Sequence, residues 1–146
     1  MKIGSMEIAR LVPHQGAMCL LDAVISWDHD HIVCHSERHR ALDNPLRADG
    51  RLSAIHAVEF AAQAMAAHRC LTADEKRAPD HGLLVSLRQC AFADRGLDTC
   101  ASPLVIEATR VAATAELMTY RFDVRAADGR VADGRASIVL VGGHAA

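Results

Sequence analysis

Residues Ser53 to Leu71 contain no Gly or Pro and are dense in Ala, Met and Leu, so their helix propensity is high over the whole run. The apolar side chains do not form one stripe. Ile55, Val58, Phe60, Ala61, Ala62, Ala64 and Met65 nearly encircle the axis, and a helix that is apolar most of the way round is buried most of the way round. His56, Glu59 and Gln63 interrupt this at i, i+3 and i+7, within an arc of about 60° at 3.6 residues per turn. The chain must therefore wrap other structure around one helix and still leave a narrow polar strip on it.

What is available to wrap it reads as strand. Ala17 to Trp27 is an apolar run ending in the polar turn Asp28-His29-Asp30, and His31 to Glu37 then alternates, with Ile32 and Cys34 opposite His31, Val33 and His35; together they predict a hairpin. After the helix and a loop around Pro79 to Gly82, the runs Leu83–Phe92, Pro103–Ala113, Glu116–Ala126 and Arg130–Val141 have strand length and period-2 character. Thr119, Arg121, Asp123 and Arg125 face one way and Tyr120, Phe122 and Val124 the other, and Asp128-Gly129 is a hairpin signal. Asp43-Asn44-Pro45 and Asp49-Gly50 mark turns in the connection before the helix, and Ser5 to Leu11 fits one or two helical turns with Ser5 as N-cap. Two strands, one buried helix, then four strands predict an α+β chain: a hotdog fold, a curved antiparallel sheet wrapped around one long central helix. At 146 residues it is expected to be one domain spanning 1–146.

Composition narrows the function classes. Sixteen Lys and Arg stand against eighteen Asp and Glu, and aromatics are 3% of the chain. There is no basic excess for a phosphate backbone and no base-stacking platform, so no nucleic-acid role is expected. No apolar run reaches the roughly 20 residues of a membrane span, and Lys2, Glu7 and Arg10 interrupt the start; the expected setting is cytoplasmic, without a membrane partner. Five cysteines, none as C-x-x-C, read as small buried hydrophobes. Asp28, His29, Asp30, His31 and His35 resemble a metal cluster in composition only, because alternation divides them between two faces; no metal is expected. Arg47, Arg51, Arg88 and Arg110 are read as solvated surface or as contacts for an acidic carrier.

Two segments carry a family likeness. Leu11-Val-Pro-His14-Gln-Gly-Ala-Met18-Cys-Leu20-Leu21-Asp22-Ala-Val24 resembles the opening of bacterial 3-hydroxyacyl-[acyl-carrier-protein] dehydratases, a Pro-His turn followed by an apolar strand and an Asp. Glu59-Phe-Ala-Ala-Gln63-Ala-Met resembles their central-helix motif. Asn44 to Leu52 together with Glu59 to His68 is similar to the divergent branch found in aryl-polyene and related polyketide-type clusters. The resemblance implies elimination of water from a 3-hydroxyacyl thioester on acyl carrier protein or CoA, giving a trans-2-enoyl thioester without a cofactor. It further implies a His that removes the proton next to the thioester, a helix carboxyl that handles the departing hydroxyl, and helix N-terminal amides on the thioester carbonyl. Carried over, Glu59 takes the carboxyl role and Gln63 a supporting hydrogen bond.

The family's usual Gly-His-Phe-Pro turn is replaced here by Asp43-Asn44-Pro45-Leu46-Arg47. Three residues compete for the vacant role: His14 in the Pro-His turn, His56 one helical turn before Glu59, and Asn44, which can orient a group but cannot act as a base. Ser53 is the expected N-cap, leaving amides near Ala54 to His56 for a carbonyl oxygen. A carboxyl in an apolar groove keeps its proton to higher pH, which suits Glu59 as an acid. Two alternatives stay open on the same fold: an acyl-thioester hydrolase with Glu59 as base or nucleophile, and a non-catalytic subunit completing another hotdog chain. The family's pairing habit implies a homodimer or a heterodimer with a second hotdog chain.

Overall fold

Alanines on a helix let its backbone approach a sheet closely, and the computed structural model, which describes residues 2–8, 18–73 and 81–141, shows that arrangement. In chain order the elements are β1 (Ile3–Gly4), α1 (Ser5–Ile8), β2 (Ala23–Trp27), β3 (His31–Ser36), α2 (Ala57–Thr72), β4 (His81–Phe92), β5 (Leu104–Ala113), β6 (Leu117–Ala126) and β7 (Gly129–Val141). The seven strands form one sheet in the order β1-β2-β3-β5-β6-β7-β4, with every neighbouring pair antiparallel. The chain leaves the sheet after β3, runs through α2 and joins the far edge as β4, while β5 returns to pair with β3. The sheet therefore encloses a helix that precedes most of its strands.

Alternation sets the core. Ile32 and Cys34 of β3, Leu104, Ile106 and Ala108 of β5, Tyr120, Phe122 and Val124 of β6, and Ala132, Ala136 and Ile138 of β7 are buried, as are Ala57, Phe60, Ala61, Ala64, Met65 and Ala67 of α2. The division of β6 into an inner Tyr-Phe-Val set and an outer Thr-Arg-Asp-Arg set, read from period 2, is the one observed. The β2–β3 hairpin also forms, its turn held by the Asp30 amide donating to Asp28 Oδ1 at 2.9 Å. Asp49 and Gly50 sit at φ 52° and 75° in a tight turn closed by Ala48 and Arg51, which is what an Asp-Gly pair permits.

Four expectations shift. The first strand begins at Ala23 rather than Ala17. A 3₁₀ turn at Ala54–His56 precedes α2, which starts at Ala57, because Ser53 caps that tighter turn. The β6–β7 turn centres on Ala127 and Asp128, since Ala126 pairs with Gly129. The burial of α2 stops short of its far side: Ile55 is 56% exposed and Glu59 and Cys70 are also exposed, because one sheet covers one side of a helix.

Gly134 of β7 lies opposite a bulge in β4, between the Arg88 and Ala91 pairings. A Cβ there would come within 2.5 Å of Cys90 Sγ, 3.0 Å of the Phe122 ring and 3.1 Å of Cys90 Cα. Gly134→Ala is therefore expected to cost about 1–3 kcal/mol from overpacking, read as a drop in the thermal midpoint.

Candidate functional site

Gln63, on the inner side of α2, is 1% exposed, and its whole carboxamide is committed. Oε1 accepts from the Leu20 amide at 2.8 Å and Nε2 donates to the Met18 carbonyl at 2.6 Å. One side chain thus satisfies two backbone groups of a segment that has no ladder partner of its own at those positions. It fastens to the helix the stretch of chain that immediately follows Pro13-His14. His14 itself lies outside the described residues. Gln63→Leu is expected to lower stability by about 2–4 kcal/mol, because both backbone groups lose their partner in a buried place. Urea denaturation reads this directly.

Glu59 is one helical turn before Gln63 and is exposed; the apolar groove expected around it is not made by this chain's described residues alone. His56 is half-buried at the C-terminal end of the 3₁₀ turn. Although the two are three residues apart, among the described residues neither side chain enters a hydrogen bond or ion pair. The polar strip read from helical spacing thus straddles a boundary, with Gln63 inside, His56 at the margin and Glu59 outside.

Ser53 caps as expected, its Oγ accepting from the Ile55 amide at 3.3 Å, and its carbonyl accepts from the His56 amide at 3.0 Å. Two of the three amides anticipated for a substrate carbonyl are therefore already engaged by Ser53. Asn44 is buried at 4% exposure and works within its own loop: Oδ1 accepts from the Leu46 amide at 2.9 Å and Nδ2 donates to the Arg38 carbonyl at 2.8 Å. Both ends of the carboxamide are used to shape the turn where the family usually carries a His.

Arg47 braces the same loop. Its guanidinium donates to the carbonyls of Ala41 at 2.9 Å, Gly50 at 2.7 Å and His39 at 3.1 Å. Arg110 likewise points inward, donating to Thr72 Oγ1 at 3.3 Å and to the His29 carbonyl. Neither is the solvated or carrier-facing arginine that composition alone allows. His31 reaches Glu107 at 3.1 Å and His29 reaches Asp30 at 3.0 Å. Among the described residues, no three His, Cys, Asp or Glu side chains converge as metal ligands.

A buried network escaped the sequence reading. His68 of α2 and Tyr120 of β6 are both fully buried, with their rings edge to face at a centroid distance of 5.5 Å. His68 Nε2 donates to the Asp28 carbonyl at 2.9 Å, so Nδ1 is the acceptor and receives the Tyr120 hydroxyl at 2.7 Å. Burial pushes the Tyr120 phenol up to about 12 against the pull of Arg110 and Arg69, and burial also holds His68 below the ordinary histidine range. The available signal was a His on the same helix face as Phe60, Ala64 and Met65.

Among the described residues, the arrangement offers an unpaired carboxyl and an unpaired imidazole at an open helix face, beside a segment anchored by Gln63. Those are groups of the kind that carry out proton transfer. Comparisons with known proteins agree in kind. A family model described as ApeP-like, ApeP dehydratase, matches residues 6–141. Among curated proteins, none matches the sequence. Among solved structures, the dehydratase heterocomplex ApeI:P from Xenorhabdus doucetiae is 22% identical with a TM-score of 0.77, covering 93% of this chain and 91% of that one. AziG from S. sahachiroi is 20% identical with a TM-score of 0.64 over 91% and 99%. A thioesterase from Haemophilus influenzae is 12% identical with a TM-score of 0.66 over 96% and 92%. At these identities the structural likenesses establish the hotdog fold.

Proposed function

The chain belongs to the ApeP-like dehydratase family, and from that membership we propose that it eliminates water from a carrier-bound 3-hydroxyacyl thioester. The observation that carries this reading is the reach of the family match over residues 6–141, which takes in both the Pro13-His14 segment and the Glu59–Gln63 helix motif. A base removes the proton at C2, whose bonding pair becomes the C2=C3 double bond. Glu59 delivers a proton to the C3 hydroxyl, which departs as water with the C3–O pair. His14 and His56 are the candidate bases, and Gln63 supports the site by holding Met18 and Leu20. Acyl carrier protein or CoA carries the substrate, and no cofactor enters these steps.

A second chain completes the site in this reading. Glu59 and Ile55 share an open helix face, and covering that face with another hotdog chain would withdraw the carboxyl from water and shield the enolate-like intermediate. The heterocomplex formed by the Xenorhabdus dehydratase supports a hetero-dimer over a homodimer. Asn44, with both carboxamide ends engaged, favours a narrower version in which this chain shapes the site and its partner supplies the base.

The test uses crotonyl and 3-hydroxybutyryl thioesters on CoA and on carrier protein, with the chain alone and with a co-expressed hotdog partner. Enoyl absorbance and free thiol are followed together. Reversible enoyl change without thiol release supports dehydration, and its dependence on the partner separates the two versions. Thiol release would replace the proposal with hydrolysis.

A further inference from the structure

On the outer face of the sheet, away from α2, charge is laid out in rows across the strands. Arg130 and Arg125 are directly paired across β7 and β6. The next outward-facing row is acidic: Asp133 pairs with Asp123, and Asp123 with Glu107 of β5. The row beyond is Arg88 of β4, Arg135 of β7 and Arg121 of β6, each directly across from the next, followed by Thr109 of β5 opposite Arg121.

The acidic row is neutralised by Arg125 and Arg130 on one side and, at its Glu107 end, by His31 on the other. Arg125 bonds Glu107 and reaches Asp123 at 3.2 Å; Arg130 reaches Asp123 at 2.6 Å and Asp133 at 3.2 Å. His31 closes on Glu107 at 3.1 Å. Among the described residues, the guanidinium groups of Arg88, Arg135 and Arg121 enter no hydrogen bond or ion pair, and neither do the side chains of Thr109 and Gln89. Strands lie about 4.8 Å apart, so three like charges stand in file over about 10 Å, an arrangement that directly opposed like charges make unfavourable.

Two further features mark the place. Gln89, Thr109, Arg121 and Arg135 line one open groove of about 620 Å³, a size that takes a nucleotide-scale ligand. Arg88 adjoins it across from Arg135, and its other wall is the acidic row Glu107, Asp123 and Asp133 with its partners Arg125 and Arg130. Gln89 also holds φ at 52° in the β4 bulge. That is a strained region for a non-glycine residue, and bulges re-aim side chains.

We infer that the Arg88–Arg135–Arg121 row, with Thr109 and Gln89, binds a multiply charged phosphate anion on the outer face of the sheet. Guanidinium forks match phosphate oxygens two at a time, and a single carboxylate would neutralise only one of the three arginines. The shared chemistry is a diphosphate group, carried by inorganic pyrophosphate or by a nucleotide. The site is separate from the dehydration reading and does not depend on it.

The full chain is titrated calorimetrically at low ionic strength with inorganic pyrophosphate and, separately, with ADP, while the thermal midpoint is followed in parallel. Binding with a raised midpoint is expected, weakened about tenfold or more in Arg135→Gln, the loss of one charge-assisted contact. Without ligand, Arg135→Gln should melt higher than the native chain at low salt, because the row is relieved. Tighter binding of ADP assigns a nucleotide source, and tighter binding of pyrophosphate a free one. Arg121→Gln is the parallel variant should Arg135→Gln fail to fold by circular dichroism. No binding of either probe, equal binding by the variants, or the same midpoint rise from sodium chloride at matched ionic strength overturns the assignment.

Discussion

Glu59→Gln is expected to reduce enoyl formation by about 10²–10⁴-fold, the usual contribution of a positioned acid or base, while leaving the fold intact. The amide keeps the shape and hydrogen-bonding reach of the carboxyl and loses only its exchangeable proton. Because the Glu59 side chain is exposed and enters no hydrogen bond among the described residues, its replacement falls in the class of surface changes worth within about 0.5 kcal/mol. Loss of kcat/KM at an unchanged thermal midpoint, measured with the partner present, is the expected pair of results. Full activity in the variant would remove Glu59 from the chemistry and shift the elimination to other residues. Retention of partner binding, checked by size-exclusion chromatography, separates a chemical effect from a lost interface.

The largest stability effect is expected at Tyr120. Tyr120→Ala removes a fully buried ring and should cost about 3–5 kcal/mol. Tyr120→Phe keeps the ring and removes one hydroxyl, leaving His68 Nδ1 as a buried acceptor without a donor, at about 1–3 kcal/mol. Two buried imidazoles, His68 in this network and His39 against the Cys100 carbonyl at 3.1 Å, set an acid limit. Burial holds His68 and His39 below the ordinary value of 6.5, so below that value the unfolded chain takes up protons before the folded one. Stability is then complete above about pH 6.5 and falls as pH drops toward the folded values. Urea midpoints between pH 8 and pH 5 should show this decline, and His68→Gln should flatten it; a midpoint indifferent to pH would contradict the assignment of neutral, buried imidazoles.

Much of the architecture was legible because two periods do not mix. The 2-residue alternation of β6 and the Ala-rich run of α2, free of Gly and Pro, each admit one local structure, and one buried helix among antiparallel strands leaves few ways to pack. Boundaries were less legible. The start of α2 depends on Ser53 accepting from Ile55 rather than from a later amide, a choice of one hydrogen bond that propensity does not encode. The β6–β7 turn slipped by one because Gly129 at φ 143° pairs in the ladder instead of filling the turn. At the candidate site, residue types were readable but exposure was not: helical spacing places His56, Glu59 and Gln63 in one arc, while their burial depends on where the sheet ends. Asn44 and Gln63 illustrate the limit from the other side, since both read as ligand-binding amides and both spend their polar atoms on the backbone of this chain.

The sheet order has a consequence for how the chain is made. Among the described residues, β4 finds its one ladder partner in β7, with His81 opposite Val141 and Phe92 opposite Ala132. At a synthesis rate of roughly 5–20 residues per second, β4 emerges several seconds before the last residues of β7 exist to meet it. During that interval a twelve-residue strand stands with its amides and carbonyls unsatisfied, next to a helix whose enclosing sheet is still incomplete. The β5–β6–β7 meander, built from short-range hairpins, can assemble as it is made, but closure over the helix waits for the end of the chain. The vulnerable moment in this protein's life is therefore on the ribosome, where the nascent β4 is a ready template for pairing with the wrong neighbour.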